Sequence, residues 1–320
     1  MTRDTIHLAF GVDAAYVPHL AAAIASIHAT TRRPLDVLVM HTGIGADDQR
    51  GIAAAAPRAE FRWIGIDDPR LLALRGKEHV AGAATFFRLA LPHLAAAETG
   101  RILYLDADLI AADDVGVLFD MDLAGRPVGA VCDPGVDPFA FAETWSLDPA
   151  SADYFNAGVL LIDLAKVRAS GVFDRALAFA AAHASRLPYS DQDALNHTLW
   201  GQWLSLPVRW NLQRVMLFDG MPDFSARPLD RRGRPAIVHY TGPGKPWMRA
   251  GYHPYAWLYW RNLARTPYFR HVAESEGMTL TARLRMLVRF IRDWPRGARS
   301  CPGGRATRLP RHDAVLAQPS

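Results

Sequence analysis

Two aspartates two residues apart, Asp106 and Asp108, follow a short apolar run, Ile102-Leu-Tyr-Leu105. Gly100 stands on the other side of that run, one residue before Arg101. Such a length and composition predict a buried strand. In extended chain, residues i and i+2 point to the same side, so both carboxylates converge at the strand's carboxyl end. Two hard oxygen ligands there suit Mg²⁺ or Mn²⁺, ions that keep open positions for substrate phosphates. An isolated Asp-x-Asp also reads as a turn, so the remaining polar residues have to decide.

Several of them carry chemistry. Gly11 lets a ligand approach the backbone closely, and Asp13 and Tyr16 follow it. Arg88 is one charge in the apolar stretch Ala84–Leu91. It either snorkels to water or meets a buried anion, a phosphate or one of the aspartates. Asp133 marks the end of another strand. Asn156 either caps a turn or reads sugar hydroxyls, since an amide both donates and accepts. Ser190 and Asp193 fit an N-cap with an acid at N3, which leaves Asp191 and Gln192 without a structural task. His239 is a candidate metal ligand, although a single His is often structural. Gly242, Gly244 and Lys245 form a flexible turn that ends in a point charge suited to phosphate.

The elements that position these residues are regular. Strands are predicted over Ile6–Val12, Asp36–Met40 and Phe61–Ile66. Helices lie between them, one carrying Leu20, Ile24 and Ile27 and one over Asp47–Ala56. This β-α-β-α-β order predicts a parallel, doubly wound α/β sheet. A helix over 84–91 stops near Pro92. Further strands are predicted over Val128–Cys132, Val159–Ile162 and Ala236–Tyr240, with Asn156-Ala-Gly158 a tight entry to the second of them. A helix covers Val172–Ala184.

The chain has 320 residues, 50% hydrophobic and 21% charged, which is enough for one large core or two small domains. The net charge of +4 says little by itself, and no internal repeat is present. Cys132 and Cys301 give neither a disulfide framework nor zinc spacing, so a reducing compartment is expected. The N-terminus lacks a signal peptide's apolar core, and no stretch of about 18 apolar residues predicts a membrane span. From Thr281 the character changes. Leu284, Leu287, Val288 and Ile291 form an apolar stripe flanked by Arg283, Arg285, Arg289 and Arg292, and Trp294 precedes Pro295. Arg296, Arg299, Arg305, Arg308 and Arg311 continue in a Pro/Gly-rich tail. Such a helix either packs on the main domain or lies at an anionic membrane surface. The expected division is one domain over residues 1–280, then a basic amphipathic helix and disordered tail over 281–320.

In this order the motifs resemble glycosyltransferase family 8, above all its bacterial lipopolysaccharide galactosyl- and glucosyltransferases. The motifs are Phe10-Gly-Val-Asp13, Phe87-Arg-Leu89, Leu103-Tyr-Leu-Asp-Ala-Asp108, Phe155-Asn-Ala-Gly-Val-Leu-Leu-Ile162, Asp191-Gln-Asp-Ala-Leu-Asn196 and His239-Tyr-Thr-Gly-Pro-Gly-Lys-Pro-Trp247. The resemblance covers roughly residues 5–260. It implies a single GT-A type domain with a Rossmann-like nucleotide-binding half and a mixed central sheet. It further implies that Asp106, Asp108 and His239 hold Mn²⁺, with Mg²⁺ the alternative, and that the ion bridges the diphosphate of a UDP-hexose donor. Gly11 and Asp13 then meet the nucleotide, Asp13 at the uracil, and Tyr16 stacks on it. Arg88, Asn156, Asp191 and Gln192 surround the donor sugar, Gly242 and Lys245 hold the phosphates, and Asp133 opens the acceptor site. Ala15 departs from the family, which often has Asn there.

The implied reaction moves galactose or glucose to a lipopolysaccharide or lipooligosaccharide core glycan with retention at the anomeric carbon. Two routes retain configuration, a covalent glycosyl-enzyme and attack on the face the leaving group vacates. Asp191 or Asp193 suits the first, with Gln192 lining the reacting face. The implied place is the cytoplasm, on the inner face of the membrane when the basic tail meets anionic lipid. Three other functions fit parts of the pattern. A sugar-1-phosphate nucleotidyltransferase calls for a Gly-rich basic N-terminal loop that this chain lacks. A non-catalytic nucleotide-sugar-binding protein has no need of metal ligands and Gln192 together. A nucleic-acid-binding protein would account for the basic tail, but that tail has an apolar stripe and no stacking series of aromatics.

Overall fold

The computed structural model describes residues 4–74, 82–217, 234–248, 253–288 and 291. Strand β1 (Ile6–Asp13) sends Ile6, Leu8 and Phe10 to one apolar cluster and Ala9 to another. β2 (Leu35–Thr42) divides the same way, Val37 and Val39 against Leu38 and Met40. Both strands are therefore buried on two faces, as a parallel sheet covered by helices requires. Helices α1 (Val17–Thr30) and α2 (Ala46–Ala54) connect β1, β2 and β3 (Ala59–Gly65), and the three strands pair in parallel. The expected β-α-β-α-β unit is present.

The remaining strands are β4 (Arg101–Leu105), β5 (Leu109–Ala111), β6 (Val128–Cys132), β7 (Phe155–Asp163), β8 (Leu204–Ser205), β9 (Leu212–Gln213) and β10 (Ile237–His239). The main sheet has the order β3-β2-β1-β4-β7-β6-β8. The chain runs outward from β1 to β3 and then adds β4 in parallel on the other side of β1. Strand order thus reverses between β1 and β4, and such a switch point opens a crevice beyond the carboxyl ends. β7 runs antiparallel to both β4 and β6, so the sheet is mixed. A small second sheet, β5-β10-β9, pairs His239 with Leu109, the residue after Asp108.

Four local features differ from the sequence expectation. β7 begins at Phe155, four residues before the predicted Val159. Its register against β6 shifts there: Ala130 faces Leu160, but Val131 faces Asn156. The extra residues bulge, and bulges re-aim side chains beside sites. The helix expected to stop near Pro92 is a 3-10 turn followed by α3 (Phe87–Leu94), which runs past the proline. Its last carbonyls and those of the next loop are bound by Arg168 on α4 (Leu164–Ser170). The five guanidinium N–H groups donate to the carbonyls of Pro92, Ala95, Ala96, Ala97 and Thr99 at 2.9–3.1 Å. Ser190, the N-cap residue of the helix Asp191–Thr198, makes no side-chain cap bond; instead the Asp193 carboxylate accepts the Tyr189 N–H at 2.7 Å.

The C-terminal stripe is also displaced from its expected register. Residues 280–288 are helical. Ala282 and Met286 pack on the first apolar cluster, and Arg283 lies 5.0 Å from the centre of the Phe269 ring. Leu280, Leu284, Val288 and Ile291 are 54–65% exposed, whereas Leu287 is half-buried. Arg289, Arg292, Trp294 and the rest of the basic tail lie outside the described residues. Among the described residues no helix is long and apolar enough to cross a membrane.

Lysine cannot reproduce the planar fork of Arg168. Arg168→Lys should lower the unfolding free energy by about 2 kcal/mol, the scale of hydrogen bonds to a charged donor. A urea midpoint shifted down at constant slope reads this; an unchanged midpoint would remove Arg168 from the stabilising contacts.

Candidate active site

The crevice at the β1/β4 switch point is a cleft lined by Gly11, Asp13, Tyr16, Arg88, Asp106 and Asp108, among others. Six of the residues singled out in the sequence thus meet in one place. Asp13 ends β1, where its Oδ1 accepts the Ala15 N–H at 3.0 Å and caps the turn that carries Tyr16. Burial, with Asp108 and Asp106 nearby, raises the Tyr16 phenol well above its ordinary value. Gly11 meets protein before it meets any ligand: a Cβ there would lie 3.0 Å from Ala84 O and 3.2 Å from the Tyr104 hydroxyl.

Asp106 and Asp108 leave β4 in a turn, and the β5–β10 pairing brings His239 to them. His239 Nε2 lies 3.1 Å from Asp108 Oδ1 and 3.7 Å from Asp106 Oδ2. One ligand atom from each of the three lies within 4.8 Å of the others. His239 Nδ1 is 2.9 Å from Asn211 Oδ1. An amide oxygen accepts only, so Nδ1 carries a proton, and Nε2 is the ring atom on the carboxylate side. Two carboxylates and one imidazole nitrogen gathered at one point fit Mn²⁺ or Mg²⁺. Lys245 Nζ donates to Asp108 Oδ2 and, at 2.8 Å, to Tyr240 O. Burial would raise the Asp108 carboxyl, but Lys245 and His239 outweigh it and hold it well below the usual carboxylate range. Gly242, three residues before Lys245, takes φ +75°, a conformation that favours glycine.

Arg88 does not snorkel. It is 4% exposed, with NH2 2.8 Å from Asp106 Oδ1 and Nε 2.8 Å from Asp191 Oδ2. Its guanidinium also donates to Ala157 O and sits 4.5 Å from the centre of the Tyr104 ring. Asp191 Oδ1 accepts the Thr85 hydroxyl at 2.6 Å. Burial pushes the Asp191 carboxyl up to about 6, against the opposing pull of Arg88 and Thr85.

Beside this pair lies a connected group of polar side chains. Asp133 Oδ2 accepts from Asn156 Nδ2 at 3.1 Å and from Gln192 Nε2 at 3.0 Å. Gln192 Oε1 in turn accepts from Asn156 Nδ2 and from the Ala157 N–H. Asp193 accepts the Tyr154 hydroxyl at 2.6 Å with one oxygen and the Tyr189 N–H with the other. Both of its oxygens therefore accept hydrogen bonds, whereas Asp191 Oδ2 has only the ion pair with Arg88. Four participants went unmarked in the sequence: Thr85, Tyr154, Gly158 and Asn211. Gly158 had a signal, a glycine inside a strand pattern, which often marks a close approach. A Cβ at Gly158 would come within 2.2 Å of His239 Cε1 and 2.7 Å of Asp106 Oδ2. The others are ordinary polar residues whose partners are far away in sequence.

Comparison with known proteins agrees with the fold. The chain is 28% identical to general stress protein A of Bacillus subtilis (strain 168) over 88% of this chain and 98% of that one. It is 28% identical to lipopolysaccharide 1,2-glucosyltransferase of Escherichia coli (strain K12), over 83% of this chain and 80% of that one. The galactosyltransferase LgtC, solved with donor and acceptor sugar analogs, superposes with a TM-score of 0.66 at 27% identity, covering 86% of this chain and 97% of LgtC. The apo bifunctional glycosyltransferase WbbM superposes with a TM-score of 0.72 at 20% identity; 87% of this chain is covered, but only 52% of WbbM, so the chain spans about half of that protein. The glycosyl transferase family 8 model matches residues 7–251, and the chain belongs to that family of glycosyltransferases.

Proposed function

We propose that this chain transfers galactose or glucose, with retention, from a UDP-sugar to a glycan acceptor of the lipopolysaccharide or lipooligosaccharide core type. One observation carries the reading. A metal-fitting Asp106–Asp108–His239 cluster with Lys245 stands at the switch-point crevice, next to the polar group of Asp191, Gln192, Asn156 and Asp133. The similarity to a lipopolysaccharide glucosyltransferase and to a galactosyltransferase solved with sugar analogs supports it.

On this reading Asp13 meets the uracil and Tyr16 stacks on it. Asp106, Asp108 and His239 hold the divalent ion, which when bound opposes the charge on the departing diphosphate. Lys245 leaves Asp108 for the phosphates, and the Gly242 turn supplies the freedom for that movement. No protein acid is then needed at the leaving group. Arg88 and Asn156 orient the sugar, Gln192 lines its reacting face, and Asp133 receives the acceptor. Asp191 is the acid assigned to the reacting carbon; Asp193 supports the helix that carries it. The exposed row of Leu280, Leu284, Val288 and Ile291 supports a reading in which the chain lies at the cytoplasmic membrane face, beside a lipid-linked acceptor.

Three outcomes are expected. Incubated with a panel of UDP-sugars and Mn²⁺, the protein should release UDP from UDP-galactose or UDP-glucose, and Asp108→Ala should lose that turnover while keeping its circular dichroism. Metal-independent turnover by the variant would remove Asp108 from the metal site.

The second outcome concerns pH. Protonation removes the negative charge that Asp191 offers a developing cationic sugar. Its raised value means that kcat should fall as pH is lowered through about 6. Asp191→Asn should be slower and lack that acid limb; an identical limb in the variant would assign it to another group.

The third concerns the membrane. The full chain should bind anionic vesicles at low salt and detach as salt rises. The double variant Leu284→Glu, Val288→Glu should stay in solution and still hydrolyse donor. Equal vesicle binding by both proteins would leave the exposed row without this role.

A further inference from the structure

Asn211 is fully buried and sits between two parts of the site that the chain brings together from far apart. Its Oδ1 accepts from His239 Nδ1 at 2.9 Å, and its Nδ2 donates to Asn156 Oδ1 at 2.9 Å. Amide oxygen and nitrogen are assigned from their surroundings, and here the surroundings fix them. The Gly158 backbone N–H donates to Asn156 Oδ1 at 3.0 Å. A backbone N–H can only donate, so that atom of Asn156 is the oxygen. The atom of Asn211 facing it must then be the nitrogen, and the atom of Asn211 facing His239 must be the oxygen. His239 Nδ1 is consequently a donor, and Nε2 is left for the Asp106–Asp108 side. At the far end, the Ala157 N–H fixes Gln192 in the same manner, through Oε1 at 3.1 Å. Two backbone donors on the β7 bulge thus set the sense of a hydrogen-bond chain running from His239 through Asn211 and Asn156 to Gln192.

We propose that Asn211 is a positioning residue that locks His239 in the Nδ1–H tautomer and ties the metal centre to the donor-sugar pocket. The role rests on the metal reading given under Proposed function. Partners behind a ligating histidine fix its tautomer and ring orientation, and losing them typically costs about 10–100-fold in metal affinity or activity. Alanine at 211 removes both bonds. Aspartate keeps an acceptor for His239 but has no N–H for Asn156, so it separates the two tasks.

The test measures Mn²⁺ binding in the presence of UDP, by the paramagnetic resonance of free Mn²⁺. Asn211→Ala should bind Mn²⁺ about 10–100-fold more weakly than wild type. Asn211→Asp should bind it at least as tightly as wild type, yet show a reduced kcat with KM for the donor little changed. Native-like Asn211→Ala with wild-type Mn²⁺ affinity would overturn the positioning role, as would an Asp variant that loses the metal. Wild type that binds no Mn²⁺ overturns the metal reading itself, and the role falls with it. One measurement needs no variant. Nitrogen-15 spectra of histidine-labelled, Mg²⁺–UDP-loaded wild type should show His239 with a protonated Nδ1 and a bare Nε2; the opposite tautomer refutes the proposal.

Discussion

The structure turns on how three crowded acids, one buried and two partly buried, are kept together. Asp106, Asp108 and Asp191 crowd one side of the crevice, where an unpaired charge is expensive. Two cations hold them, Arg88 between Asp106 and Asp191, and Lys245 on Asp108. The two differ in kind. Arg88 comes from a helix, is pinned by Ala157 O and lies against the Tyr104 ring, so it is part of the frame. Lys245 follows Gly242 and Gly244 on a turn and bonds through a single flexible amine. A fixed cation holds Asp106 and Asp191 in place, and a flexible one neutralises Asp108; the proposed exchange of Lys245 from Asp108 to a phosphate rests on that difference.

The topology gathers the residues around these charges. The reversal of strand order sets Asp13 beside Asp106 and Asp108. The small β5-β10-β9 sheet then brings in His239 and Asn211, more than 100 residues later in sequence. The β7 bulge completes the set, because it aims the Ala157 and Gly158 N–H groups at Gln192 and Asn156. Gly158 has to be glycine for a reason of space alone: His239 and Asp106 occupy the volume a side chain would take.

What was legible in the sequence follows from this division. Strong periodicity and short connections made β1, β2, β3 and β4 readable, and the Asp-x-Asp pair marked the end of β4. Of the candidate residues, Gly11, Asp13, Tyr16, Arg88, Asp106 and Asp108 line one crevice, and His239, Lys245 and Asp191 pair with its charged members. Asn211, Thr85 and Arg168 were not readable, since an asparagine, a threonine and an arginine with distant partners look like any surface residue. Pro92 misled for the same reason: the helix passes it, and the carbonyls left at its end are answered by Arg168, some 70 residues away. The C-terminal stripe was found but shifted: Ala282 and Met286 face the core, and of the expected stripe Leu284, Val288 and Ile291 are exposed while Leu287 is half-buried.

Asp191 and Asp193 show how far residue type alone goes. Both are buried acids in the first turn of one helix, and as a pair in sequence they are interchangeable candidates for the reacting carbon. Their surroundings separate them. Asp193 spends both oxygens on the Tyr154 hydroxyl and the Tyr189 N–H, bonds that close the helix start against the β7 side of the sheet. Asp191 has Thr85 on one oxygen and the edge of Arg88 near the other, and burial outweighs both in lifting its carboxyl to about 6. A carboxylate so weakly compensated is held in its charged form at the cost of desolvation. A developing positive charge on a sugar ring would relieve that cost, which is the direction in which a site favours a transition state over its ground state. Asp193, with both oxygens already bonded, has less to gain from such a charge, and this difference is what supports the reading proposed for Asp191.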